Sequence, residues 1–314
     1  MGRVLPLALA AFSSAALYAW VPPATGTKAN PSPTDGKRSW AEVKAVVEKT
    51  IKLCGKNENG FYNDMGALDL NGTLTAEEER TQIAVWSALA APMQTVGDAA
   101  KWRESTKKLL ADRDLQNVDQ DFVGRQAYPV ARKDGAMVLL KDCWGLNCNL
   151  KVATFYNPPD AAVDIRLDFK DAEIGGEVTV NDVLDKMPSQ KLTGSMTVKI
   201  PPHGAKTYRL FAKKALMREL YDIDSALQGV QGADVQFRHV YAPKCGTYGL
   251  KVLAAKDAAY DIQVNGLVVR AGCRGETTVQ VPLFKADNFV RLFTTGTKPP
   301  AITAIRVQEQ VSKN

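Results

Sequence analysis

The sequence predicts an α+β chain of several domains, and three observations carry that prediction. A strand, loop and helix pattern fills residues 61–92, a hydrophobic period of two runs through residues 123–211, and a second block with the same period covers residues 216–311. The expected order is a helical front part followed by two β-rich parts.

The first 25 residues hold one cation, Arg3, then an apolar run over 4–20, then Pro22 and Pro23. This reads as a secretory signal peptide, with a short membrane anchor as the alternative, and places the protein outside the cell. Residues 26–34, with Pro31 and Pro33, read as a linker.

In residues 61–92 the run ending Tyr62-Asn63-Asp64-Met65 predicts a buried parallel strand that opens into a loop, and Asn71-Gly72 predicts a turn. Thr75 and Glu78 have the spacing of a capping box, and Glu77 to Glu79 suit the positive end of a helix dipole. Ile83, Trp86, Leu89 and Ala90 predict one apolar stripe on that helix, closed by Pro92. An earlier helix is expected from Trp40 to about Leu53, capped by Ser39.

The β blocks follow from alternation. Val163, Ile165, Leu167 and Phe169, and again Met196, Val198 and Ile200, place apolar side chains on one face, so an antiparallel β-sandwich is expected over residues 123–213. Residues 214–314 carry Gly246 to Val252, Tyr260 to Gly266 with an Asn-Gly turn, and Asn288 to Leu292, which predict a second sandwich.

Composition narrows the chemistry. A chain of 314 residues with 45% hydrophobic and 24% charged residues has room for two or three globular domains. A net charge of +6 without a basic cluster among aromatics gives no footprint for nucleic acid, and no membrane contact is expected beyond the N-terminal segment. The two histidines, His203 and His239, lack metal-ligand company in the sequence, and neither a metal nor a cofactor is expected. Oligomeric state is left open.

Five cysteines make an odd set, so a secreted chain keeps at least one thiol outside intramolecular pairing. Cys143 with Cys148, and Cys245 with Cys273, are the disulfide candidates, with free thiols as the alternative. Asn71-Gly72-Thr73 is a glycosylation sequon at Asn71.

Several motifs together resemble glycoside hydrolase family 27, the α-galactosidases: the Asn63-Asp64 run ending at Leu68-Asp69, the Leu74-Thr75-Ala76-Glu77-Glu78 start, the Trp86 to Pro92 finish, and Val118-Asp119-Gln120-Asp121 with Asp119 where the family has Asn. Val198 to Gly204 and Tyr208-Arg209-Leu210 resemble the last strands of the family's sandwich. The resemblance implies that residues 35–122 are the end of a (β/α)₈ barrel, a TIM-barrel remnant, since a whole barrel takes ~250 residues. Its last two units have counterparts here, and the strand carrying the family's nucleophile has none. The final block is similar to jelly-roll carbohydrate-binding modules, with Phe237 and Tyr241 as candidate sugar-stacking aromatics and a purely structural sandwich as the alternative.

By the same resemblance, Asp35 stands where the family has its acid/base aspartate, and Tyr62 and Asp64 stand in the sugar-binding loop. Asp35 also reads simply as a turn residue ahead of the Ser39 cap. The family's second loop carboxylate is replaced by Gly66. The function implied is retaining hydrolysis of terminal α-galactose, with an α-galactoside or other glycan as ligand, in a chain that is shortened and does not turn over substrate alone. The alternative is a non-catalytic, secreted carbohydrate-binding β-sandwich protein.

Overall fold

A computed structural model describes residues 38–54, 57, 62–121, 124–143, 149–223, 226–229 and 231–309. Asp35, Cys148, the 1–25 segment and the 26–34 linker lie outside the described residues.

The front part holds α1 (Trp40–Ile51), α2 (Ala76–Ala88), α3 (Glu104–Leu110) and α4 (Arg113–Asp119). Both long helices start with a capping box. Ser39 and Glu42 exchange bonds at the head of α1, and at the head of α2 the Thr75 N–H donates to Glu78 Oε2 at 2.8 Å while the Thr75 hydroxyl accepts from Glu78 N. Helix α2 ends in a left-handed residue, Ala90 at φ 49°, with Ala91 N donating back to the Trp86 carbonyl.

The single apolar stripe expected on α2 is corrected by the structure. From Glu78 to Ala88 every residue except Arg80 is buried, because α2 packs against α1, α3 and α4 as well as the neighbouring sheet. Its Thr81, Gln82 and Ser87 are therefore interior polar groups.

The buried strand expected before Met65 is likewise absent among the described residues 62–67. Extended pairing there is reduced to one parallel bridge, Leu68 with Thr95. Side chains take over the backbone instead: Asp64 accepts from Gly66 N, Gln82 from Asp69 N, and Trp86 donates to Gly66 O. Buried amides need partners, and where a ladder is missing side chains supply them.

Two groups of sheets follow. The first contains β1 (Tyr128–Lys133), β2 (Ala136–Asp142), β3 (Leu150–Tyr156), β4 (Val163–Asp168), β5 (Ile174–Asp182), β6 (Gln190–Thr193), β7 (Ser195–Ile200) and β8 (Ala205–Ala215). A six-stranded antiparallel sheet runs β1-β2-β3-β8-β5-β6, and β4 pairs with β7 as a separate ribbon. Met137 and Leu139 of β2 join the core built with α1 and α2, whereas Ala136, Val138 and Leu140 face β4 and β7 across a second core. The sheet is thus covered on both faces, which is why β2 reads as an unbroken apolar run.

The second group holds β9 (Leu220–Asp222), β10 (Leu227–Gln228), β11 (Asp234–Ala242), β12 (Gly246–Ala254), β13 (Ala259–Val264), β14 (Leu267–Arg274), β15 (Thr277–Leu283), β16 (Ala286–Phe293) and β17 (Ile302–Glu309). Its sheets, β10-β11-β16-β13-β14 and β15-β12-β17-β9, close over one apolar core that includes Val235, Tyr248, Leu250, Ile262 and Val281. The protein is mostly β, with the helices gathered at its front.

Candidate functional site

The loop after α1 is built from its polar residues. Asn63 is buried and donates to Gln126 Oε1 at 2.7 Å and to the Leu53 carbonyl, while Gln126 Nε2 donates to Thr50 O. These bonds fasten the end of α1 to the segment entering β1. Asp64 is 9% exposed, and its Oδ1 accepts from Gly66 N at 2.7 Å in a tight turn. Gly66 sits at φ 74°, a conformation that suits glycine, and its carbonyl accepts from the Trp86 indole at 3.1 Å.

Asp69 is fully buried, with one oxygen on Asn71 N and the other on Arg38 N. The Arg38 guanidinium lies 5.9 Å from the Trp86 ring, and burial lowers its pKa against the pull of Glu42, Asp64 and Asp69. Tyr62 is half-buried beside this loop and Asn71 is exposed. The structure therefore brings Tyr62 and Asp64 into one loop. Oδ1 of Asp64 is spent on a main-chain amide, and so are both oxygens of Asp69.

Asp119, the departure from the resembled motif, closes α4. Burial pushes its carboxyl up to about 6, opposed by the Lys141 charge and a hydrogen bond from Gln120. Lys141 is wholly buried on the helix-facing side of β2. Its ammonium donates to the Val118 and Asp119 carbonyls at the end of α4 and to Ser87 O in the last turn of α2. A cation at two helix C-termini meets acceptors that have no partner within their helices.

Sequence reasoning missed the group around His203. Its Nδ1 lies 2.7 Å from Glu78 Oε1 and its Nε2 lies 2.6 Å from Asp160 Oδ1, and its ring stacks on Trp40 with centroids 5.0 Å apart. The capping-box pattern accounts for Glu78 through the helix start alone, but a carboxylate has a second oxygen, and that oxygen reaches His203. Alongside lies a cleft of about 470 Å³ lined by Glu77, Arg80, Asp185, Lys199, Pro201 and Lys206. Burial raises the Glu77 carboxyl there, against the Arg80 charge. Arg80 is also paired with Asp185.

In the second sheet group Phe237 and Tyr241 are 1% and 7% exposed. Phe237 packs into the core with Val235 and Val240, whereas Tyr241 is covered without joining that core, and neither ring presents an open face for stacking on a sugar. The expected disulfides are corrected too: Cys143, Cys245 and Cys273 carry free thiols. Cys273 is buried on β14 opposite Tyr260, whereas Cys245 is exposed ahead of β12 in the other sheet and accepts from Lys285 N. Burial pushes the Cys143 thiol up to about 12. Among the described residues no helix is long and apolar enough to cross a membrane.

No protein-family model matches the chain. Its homologues are family-27 α-galactosidases, over about 55% of its length. It is 24% identical over 185 residues to α-galactosidase A of Cellvibrio japonicus, covering 55% of this chain and 45% of that protein. The chain thus spans about half the length of the curated relatives it matches. Among solved structures, a GH27 β-L-arabinopyranosidase of Geobacillus stearothermophilus, in complex with arabinose, shares the fold with a TM-score of 0.52 at 18% identity over 57% of this chain and 44% of its own. An isomalto-dextranase of Arthrobacter globiformis T6, complexed with panose, aligns with a TM-score of 0.55 at 14% identity over 84% of this chain and 52% of its own. That share is larger than residues 38–215 can supply, so this fold likeness extends into the second sheet group.

Proposed function

We propose that residues 35–122 are the closing part of a family-27 (β/α)₈ barrel, that 123–213 are its antiparallel β-sandwich and 214–314 a second, jelly-roll-like sandwich, and that this chain does not hydrolyse α-galactosides by itself. Retaining hydrolysis needs two carboxyl groups about 5–5.5 Å apart, one to protonate the leaving oxygen and one to attack the sugar. The observation that carries the reading is how the loop uses its acids: Asp64 and Asp69 bind main-chain amides, and Gly66 supplies no carboxylate. Asp35 is the acid/base candidate that the resemblance gives.

Residual recognition of a galactose-type glycan would use Tyr62 and Asp64. In this reading the chain is exported by residues 1–25 and Asn71 is available for glycosylation. Release of p-nitrophenol from its α-galactoside by the purified chain tests the proposal, with no turnover expected.

A further inference from the structure

His203 faces a carboxylate oxygen at each ring nitrogen, Glu78 Oε1 at 2.7 Å and Asp160 Oδ1 at 2.6 Å. A neutral imidazole has one N–H and one lone pair, so it serves one of these carboxylates and turns a lone pair toward the other. Both bonds are made together only by the imidazolium. We propose that His203 is a protonation-dependent clamp, which in mild acid bridges α2 to the turn between β3 and β4 and at higher pH lets go of Asp160.

The surroundings make this arrangement one-sided. From α2 the ring meets Glu78, and Glu77 reaches the neighbouring Gly204, where an added Cβ would lie 3.0 Å from Glu77 Oε1. From the β3–β4 turn it meets Asp160, which is exposed. From α1 it meets the neutral face of Trp40, whose indole donates to Pro158 O at 3.1 Å, and Lys44 lies within electrostatic reach of Asp160. Two carboxylates thus meet one imidazole with Glu77 close by at Gly204, and the nearby cations are Arg80 and Lys206, which act on Glu77, and Lys44, which acts on Asp160.

The backbone holds the ring in place whatever its charge. His203 is left-handed at φ 55°, its N–H donates to Pro159 O, and Asn157 Nδ2 donates to Pro201 O. What changes with pH is therefore the side-chain bridge alone, Asp160 being the exposed and releasable end. The acid side is consistent. Asp160 is held below the usual carboxylate range by its hydrogen bond to His203. Burial works against Glu78, yet Thr75 and His203 hold it low.

For the carboxylates the contribution exists above their ordinary pKa and is lost as pH falls through the lowered values. The imidazolium alone donates at both ring nitrogens, so the second of the two bonds exists only while the ring is protonated.

The test is thermal unfolding of the full chain at pH 5.5 and pH 8.0, as wild type, His203→Asn and Asp160→Asn. Asn suits the left-handed backbone and stays neutral. At pH 5.5 His203→Asn is expected to unfold about 2–4 °C lower than wild type, at pH 8.0 by much less, and Asp160→Asn to show a smaller loss confined to pH 5.5. An equal loss at both pH values overturns the clamp. If His203→Asn fails to fold, the ring ¹⁵N signals of wild type decide, since the chain has two histidines. Two protonated ring nitrogens on His203 at pH 5.5 and one at pH 8.0 support the proposal, and a single neutral tautomer at pH 5.5 overturns it.

Discussion

The Trp86 indole donates to the Gly66 carbonyl at 3.1 Å, tying the centre of α2 to the loop that carries Asp64. The bond holds Gly66 at φ 74°, where the resembled family places a carboxylate. Gly66→Asp would restore the acid in name only. It is expected to lower stability by about 1–2 kcal/mol through the left-handed backbone, read by urea unfolding, and to produce no α-galactosidase activity.

Asp119 gives a prediction with a pH sign. Its folded-state pKa of about 6 lies above that of a free aspartate, so the folded state takes up the proton first. Ionised Asp119 thus destabilises the fold above pH 6, and the penalty fades as pH falls from 6 toward 4. Asp119→Asn should stabilise the chain at pH 8 by roughly 1–2 kcal/mol, allowing for partial exposure. Near pH 4 it should change little. Paired urea titrations at the two pH values check this.

Lys141 is a buried cation whose pKa burial lowers, with carbonyl acceptors at two helix ends offsetting part of that cost. Lys141→Met keeps the volume but leaves the Val118 and Ser87 carbonyls without this donor. Relief of desolvation offsets part of the loss. A net destabilisation of roughly 1–2 kcal/mol is expected at pH 7, with α2 and α4 losing hydrogen-exchange protection before the second sheet group does.

The thiols of Cys143, Cys245 and Cys273 predict an order of reaction. Cys245 is exposed, and Cys143 and Cys273 are buried. Of these three, a disulfide reagent should label Cys245 first in the folded protein and the other two only on unfolding.

Much of the fold is legible in the sequence where a local rule decides it. Ser39 with Glu42, and Thr75 with Glu78, are capping boxes that need no tertiary context, and Val163, Ile165 and Leu167 alternate as their strand does. Legibility fails where burial comes from several sides. The polar residues Thr81 and Gln82 of α2 give no hint that the helix is surrounded, and β2 hides its two faces in one apolar run. The His203 group joins residues 125 positions apart through a turn and a helix start, a closeness that only the packed chain creates. Cysteine spacing misled for the same reason, since Cys245 precedes β12 of one sheet and Cys273 lies on β14 of the other.

The decisive measurement is hydrolysis of p-nitrophenyl α-galactoside by the purified, monodisperse chain, beside Asp35→Ala and Asp64→Asn. No release above the uncatalysed rate is expected for any of the three. Turnover by the wild-type chain that either substitution abolishes would contradict the non-catalytic reading, and would mean that a second carboxylate works with Asp35 or Asp64.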